Sequence, residues 1–144
     1  MIHMTGNLFD TTAPAIGHGI NVMGRMGAGI AVQFRERYPE MHRVYVELCE
    51  NYAIHPGDVM LWKADDFTVY NIASQDMPGP HASLEWLCAG VSSALNHASS
   101  ENFDRLALPQ IGCGIGGLKV DDVVRELTHV ESNYSTEIEW WTYA

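Results

Sequence analysis

The sequence predicts an α/β fold in which one sheet is covered by helices on both faces. Three observations carry the prediction. Apolar runs of strand length alternate with segments whose apolar residues recur every three or four positions. Two glycine-rich segments, residues 24–31 and 111–117, each follow an apolar run and precede a helical pattern. The 144 residues suffice for one domain with a real core and are too few for two comfortable ones.

In chain order, residues 15–21 are small and apolar, with Gly17 and Gly19, and read as a buried strand. Residues 29–38 look helical until Pro39 interrupts them. Met41, Val44, Tyr45, Leu48 and Cys49 form one face of a second helix, and Pro56-Gly57 marks a turn. Residues 58–62 and 67–73 read as a strand pair joined around Ala64-Asp65-Asp66. After Pro78-Gly79-Pro80, a helix places Leu84, Leu87, Cys88, Val91 and Leu95 on one face. Residues 106–109 form a short strand feeding the second glycine segment, and Val120, Val123, Val124 and Leu127 form the stripe of a last helix. Residues 135–143, rich in β-branched and aromatic side chains, close the chain as a strand. No repeat, linker or low-complexity tract interrupts this pattern. Strands interleaved with helices imply a sheet buried on both sides, with ligands beyond the strand ends.

Composition narrows the function. Hydrophobic residues make up 47% and charged residues 18%, a balance that builds a core and argues against disorder. A formal net charge of −10 repels polyanions, so broad nucleic-acid binding is not expected. A local anion site made of backbone amides needs no Lys or Arg and stays open. Cys49, Cys88 and Cys113 contain no C-x-x-C pair, and the seven histidines show no zinc spacing. No disulfide framework, metal or cofactor is expected. The N-terminus shows no basic-then-apolar leader, and no apolar run approaches the roughly 20 residues of a membrane span. A cytoplasmic location without membrane attachment is the expectation.

A glycine loop at a helix start offers bare N–H groups and the positive end of the helix dipole, which suits a phosphate. Two such loops suggest two walls of one pocket for a diphosphate. The second contains a formal G-x-G-x-x-G from Gly112 to Gly117, but too little chain follows it to complete a nicotinamide-binding fold. Asn21, near the end of a buried strand, could hydrogen-bond a sugar hydroxyl or merely cap the turn. His18 sits inside the same run, three residues earlier, as a satisfied core residue or as a catalytic one. Asp76 and His81 follow a strand and could orient or deprotonate a water, or serve only as turn residues.

These residues together resemble the macro domain, a family that binds ADP-ribose. The resemblance runs from Thr5-Gly6-Asn7-Leu8-Phe9, through Met26-Gly27-Ala28-Gly29-Ile30-Ala31 and Pro109-Gln110-Ile111-Gly112-Cys113-Gly114, to the last strand. It implies a single macro domain over residues 1–144, a three-layer α/β/α sandwich around a mixed sheet. Within the family the chain is similar to the branch holding terminal ADP-ribose protein glycohydrolase and the ADP-ribose 1″-phosphate phosphatases. The stretch Arg37-Tyr38-Pro39-Glu40 with Tyr45-Val46-Glu47-Leu48-Cys49-Glu50 is especially like the phosphatases.

The resemblance implies that Gly27, Ala28, Gly29 and Ile30 contact the distal ribose and diphosphate, with Met26 beside them. It implies that Gly112, Cys113, Gly114, Ile115, Gly116 and Gly117 cradle the diphosphate, with Ile111 beside them. Asn7 and Leu8 would help hold adenine, Asn21 the ribose, and Ser74 and Gln75 would complete the wall. Many family members carry Asp where this chain has Asn7. The glycohydrolase of the branch uses a Lys and an Asp where this chain has Gln75 and Gly116. A histidine proposed as catalytic among the phosphatases matches His18. The expected activity is hydrolysis of a substituent on the distal ribose of ADP-ribose, with His18 or Asp76 handling the proton. ADP-ribose 1″-phosphate is the first substrate and an ADP-ribosylated macromolecule the second. The alternative is a reader that binds ADP-ribose without catalysis.

Overall fold

Side chains along the central strands alternate between two cores, and that alternation fixes the layering. The computed structural model describes residues 1–143. Six strands form one sheet: β1 (Ile2–Thr5), β2 (Ala15–Ile20), β3 (Val59–Lys63), β4 (Thr68–Ala73), β5 (Arg105–Leu108) and β6 (Glu137–Thr142). Their spatial order is β1-β6-β5-β2-β4-β3, and every neighbouring pair is parallel except β3–β4. Four helices cover the faces: α1 (Ile30–Arg37), α2 (Pro39–Glu50), α3 (Leu84–Ser100) and α4 (Val120–Glu131).

From β4, Val69 and Ala73 point to one core and Tyr70 and Ile72 to the other. The first core joins Ile16 and Ile20 of β2 to Phe34 of α1 and to Met41 and Tyr45 of α2. The second joins Leu106 and Leu108 of β5 to Leu87, Val91 and Leu95 of α3 and to Val123 and Leu127 of α4. The result is a three-layer α/β/α sandwich around a mixed sheet, as the sequence implied.

Pro39 does not merely end a helix. It occupies the first turn of α2, where its missing N–H has no partner to lose, so α1 and α2 meet at Tyr38. There Arg37 donates twice to Asp66 Oδ2, at 3.1 and 3.0 Å, and the Tyr38 hydroxyl donates to Asp66 Oδ1 at 2.9 Å. This clamp ties the end of α1 to the β3–β4 turn. Burial pushes the Tyr38 phenol up to about 12, so it stays a donor.

Two elements depart from the sequence reading. β1 was not expected; its side chains are at most half-buried, and it enters the sheet by pairing in parallel with β6. The second glycine segment does not open an α-helix. Gly114–Gly116 form a short 3-10 turn, Gly117 turns the chain with φ of 85°, and α4 begins only at Val120. Its amides therefore act as a loop and not as a helix N-terminus.

Because β2, β4 and β5 run in parallel, their carboxyl ends Ile20, Ala73 and Leu108 lie at one edge of the sheet. Three loops leave from that edge, and they build the site.

Candidate functional site

The three loops enclose a cleft of about 490 Å³. The first wall is Asn21 with residues 25–31, the second is Ser74, Gln75, Pro78 and Gly79, and the third is residues 109–113 with Ile115 and Gly116. The loops are laced together. The Val22 N–H donates to Asp76 O at 3.4 Å, and Ala82 N–H donates to Gly116 O at 3.2 Å. Ile115 spans the opening, its Cδ1 3.7 Å from where a Cβ on Gly29 would sit.

Main-chain donors are the cleft's principal polar feature. Among the described residues no hydrogen bond engages the N–H of Gly27, Ala28, Gly29, Ile30 or Ala31, nor that of Gly112, Gly114 or Ile115. Gly29, with φ of 61°, caps the start of α1, so the first of these groups sit at that helix's positive end. Two loops carrying free amides, facing each other across a cleft without a single carboxylate, make a site for an extended anion.

Asn21 is 6% exposed and its amide is largely committed. Nδ2 donates to Arg25 O at 2.8 Å, and Oδ1 accepts from Met23 N–H at 3.0 Å and Arg25 N–H at 3.4 Å. The buried Tyr45 hydroxyl donates to the same residue, 2.8 Å from Asn21 O and 3.0 Å from Oδ1. Turn capping, one of its two anticipated roles, is thus realised, and one Nδ2 proton remains for the cleft.

Gln75 and Gly116 are brought together: a Cβ on Gly116 would lie 3.4 Å from Gln75 Oε1 and 3.0 Å from Ala82 Cβ. Gln75 Nε2 is turned inward to Met77 O at 2.7 Å and Gly79 O at 3.3 Å. Cys113 lines the cleft with its thiol shifted above the ordinary range by burial, hence protonated at neutral pH. The cleft wall therefore contains no carboxylate, imidazole or amine; Arg25 is its only charged side chain.

The two expected proton carriers lie elsewhere. His18 is fully buried, on the β2 face that meets α1, stacked on Phe34 with ring centroids 3.7 Å apart. Its Nε2 lies 2.7 Å from Asn71 Oδ1. The Asn71 amide nitrogen donates to Met60 O at 3.1 Å, so Oδ1 must accept and His18 Nε2 must carry the proton. His18 Nδ1 is left without a partner. Burial, only partly opposed by the Asn71 bond, lowers the imidazole to about 4. The expectation of a catalytic His18 is corrected on this geometry, because a sealed, neutral ring cannot reach a ligand at the strand end. Asp76 is also outside the cleft wall; its main-chain oxygen accepts from Val22 N–H, and its carboxylate makes no hydrogen bond among the described residues.

Of the expected ligand-binding residues, Asn21, Met26, Gly27, Ala28, Gly29, Ile30, Ser74, Gln75, Ile111, Gly112, Cys113, Ile115 and Gly116 line the cleft. Gly114 lies at the tip of its loop, outside the wall. Asn7 and Leu8 are also outside it. Asn7 is exposed and caps a 3-10 turn by accepting from Phe9 N–H at 3.0 Å, and Leu8 is buried. That segment is held by Glu139, which is 1% exposed and bonded to Thr11 at 2.6 Å, to Trp141 Nε1 at 2.9 Å and to Arg105. Sequence reasoning missed eight lining residues: Gly19, Ile20, Arg25, Ala31, Pro78, Gly79, Pro109 and Gln110. For Arg25 the signal was present, as the one charge in the first glycine segment.

The macro domain family profile matches residues 18–127. The chain belongs to the macro domain family. It is similar to the DNA ADP-ribosyl glycohydrolase of Thermus aquaticus, at 25% identity over 96% of this chain and 39% of that protein. The same-named protein of Mycobacterium tuberculosis is 28% identical over 85% of this chain and 36% of its own length. The chain thus spans under two fifths of these relatives. An ADP-ribose 1″-phosphate phosphatase of Lodderomyces elongisporus is 36% identical, but over 45% of this chain and 44% of that protein. The macrodomain of Thermus aquaticus DarG superposes with a TM-score of 0.87 at 22% identity, covering 98% of this chain and 97% of that one. Among the described residues no helix is long and apolar enough to cross a membrane.

Proposed function

We propose that this macro domain binds ADP-ribose in the cleft and hydrolyses the bond between its distal ribose and an attached group. The observation that supports this reading best is the pair of glycine loops with unengaged amides facing a carboxylate-free cleft. Such donors suit a diphosphate and are fixed before the ligand arrives. The order of substrates follows similarity over the whole chain. The DNA ADP-ribosyl glycohydrolases align along 85–96% of it and the fungal phosphatase along 45%. ADP-ribose on a macromolecule is therefore the first substrate and ADP-ribose 1″-phosphate the second, the reverse of the order read from the sequence.

In the proposed reaction the two loops hold the diphosphate and the free Nδ2 proton of Asn21 orients the distal ribose. A water attacks the anomeric carbon as the bond to the leaving group breaks, and the water's proton ends on the leaving group. With no carboxylate, imidazole or amine in the wall, and the Cys113 thiol held protonated, the ligand's phosphate oxygens and solvent relay that proton. Catalysis then rests on positioning and on fixed dipoles, effects that can supply several kcal/mol by themselves. The reaction belongs in the cytoplasm, where Cys49, Cys88 and Cys113 stay reduced, and broad binding to nucleic acid is not part of the reading.

The same lack of a carboxylate, imidazole or amine in the wall favours a second reading, a reader that binds and does not cleave. One experiment separates them. The protein is titrated with ADP-ribose by calorimetry, then incubated with an ADP-ribosylated oligodeoxynucleotide and with ADP-ribose 1″-phosphate while free ADP-ribose is followed by chromatography. Binding at roughly micromolar strength, about −8 kcal/mol, is expected together with product release. Binding without release on either substrate establishes the reader, and no binding at millimolar ligand removes both readings.

A further inference from the structure

Arg25 stands alone in the cleft: every other lining side chain is uncharged, in a chain of net charge −10. Its guanidinium makes no hydrogen bond or ion pair among the described residues; the same holds for Arg35, Lys63 and Lys119, but none of these lines the cleft, and Arg37, Arg43, Arg105 and Arg125 are each paired with carboxylates. Its backbone is treated differently from its side chain. Asn21 grips both the N–H and the carbonyl of Arg25, and the buried Tyr45 hydroxyl grips Asn21. Two buried residues thus fix where the guanidinium starts, and nothing among the described residues uses it.

We infer that Arg25 determines specificity by reading a phosphate on the group attached to the distal ribose. The inference rests on the reading above, in which Asn21 faces that ribose, because Asn21 is the residue that anchors Arg25. The ADP-ribose diphosphate has a full set of main-chain donors in the two loops and needs no cation. A guanidinium next to the ribose anchor instead meets whatever extends beyond the sugar. Its planar fork matches phosphate oxygens bidentately, which a neutral or amide-linked leaving group cannot exploit. The phosphate could be the 1″-monoester or a phosphodiester flanking an ADP-ribosylated base, since both present the same oxygens.

The test compares wild-type protein with R25Q and R25K. Arg25 is exposed and its side chain pairs with nothing among the described residues, so both variants should melt with the wild type. Two ratios are measured. One is affinity for ADP-ribose 1″-phosphate over ADP-ribose, with kcat/KM in place of affinity where turnover occurs. The other is kcat/KM, or affinity, for an ADP-ribosylated oligodeoxynucleotide over the ADP-ribosylated nucleoside. In R25Q at least one ratio should fall about 10- to 100-fold, the scale of one charge-assisted contact, with R25K intermediate. The wild-type ratio should also shrink as salt rises. A fall confined to the first ratio identifies the monoester as the group read, and one confined to the second identifies the phosphodiester. If both ratios are unchanged while ADP-ribose binds normally, the inference fails and the reading of the cleft stands. If R25Q lowers affinity for every ligand equally, Arg25 serves the diphosphate and the inference also fails. If the wild type binds no ADP-ribose, both fall together.

Discussion

Replacing Gly27 with valine tests the amide cleft with little disturbance of the fold. Gly27 is exposed in the cleft wall, its φ is not positive, and a Cβ built on it meets no heavy atom within 4 Å. A branched side chain there occupies only cleft space, so stability should stay within about 0.5 kcal/mol of wild type. Gly29 and Gly114 do not offer the same control, because both hold φ of 61° and any side chain would be strained there. Valine at position 27 would displace a diphosphate from the neighbouring amides. Losing two hydrogen bonds to a charged group removes about 3–6 kcal/mol, or roughly 10²- to 10⁴-fold in affinity. Thermal melting checks the fold and calorimetry with ADP-ribose reads the affinity. A variant that melts normally and binds within threefold of wild type would refute the placement of the diphosphate against this loop.

Two further outcomes follow from buried groups. His18 titrates at about 4 in the folded chain against about 6.5 unfolded, so the unfolded state binds the extra proton; the stability His18 contributes is complete above pH 6.5 and drains as pH falls toward 4. Denaturant unfolding at about pH 7 and pH 5 should show a drop of about 2 kcal/mol beyond that of a His18→Gln variant, and equal drops would mean the ring is not sealed. Tyr45→Phe removes the donor to Asn21 and should lower stability by about 1–2 kcal/mol while weakening ADP-ribose binding, as read by melting and calorimetry; unchanged affinity would show that the grip on residues 21–25 does not matter to the ligand.

How much of this was legible depended on where each residue stood relative to a period. The helices and the inner strands were readable because burial on one or both faces writes itself into the apolar spacing. β1 was not, since its Ile-His-Met-Thr alternation, two half-buried residues and two exposed ones, runs for only four positions and is too short to stand out. His18 shows the same logic from the other side. It lies two residues from Ile16 and two from Ile20, and strand alternation puts all three on one face, the face α1 covers. The cleft opens beyond the strand ends and not on that face, a geometric fact that no local spacing encodes. Asn21, just past the end of β2, was legible for that reason. The meeting of Gln75 with Gly116 was not, because it depends on the Ala82–Gly116 hydrogen bond that folds the second loop against the third.

The electrostatics of the chain reconcile a net charge of −10 with an anionic ligand. Screening at physiological ionic strength confines each surface carboxylate to about 8 Å, so the overall charge sets what approaches and the cleft wall sets what binds. Amides are the economical choice for that wall. They carry partial positive charge without attracting neighbouring carboxylates into ion pairs, which is the fate of Arg37, Arg43, Arg105 and Arg125 elsewhere on the surface. They are also held by the loop hydrogen bonds, such as Cys113 N–H to Gln110 O at 3.1 Å and Leu118 N–H to Gly112 O at 3.0 Å, and need no reordering when a phosphate arrives. A negative exterior around an amide-lined cleft admits a small dianion and disfavours a long polyanion. That combination fits the proposed function, in which the cleft takes one ADP-ribosyl group at a time.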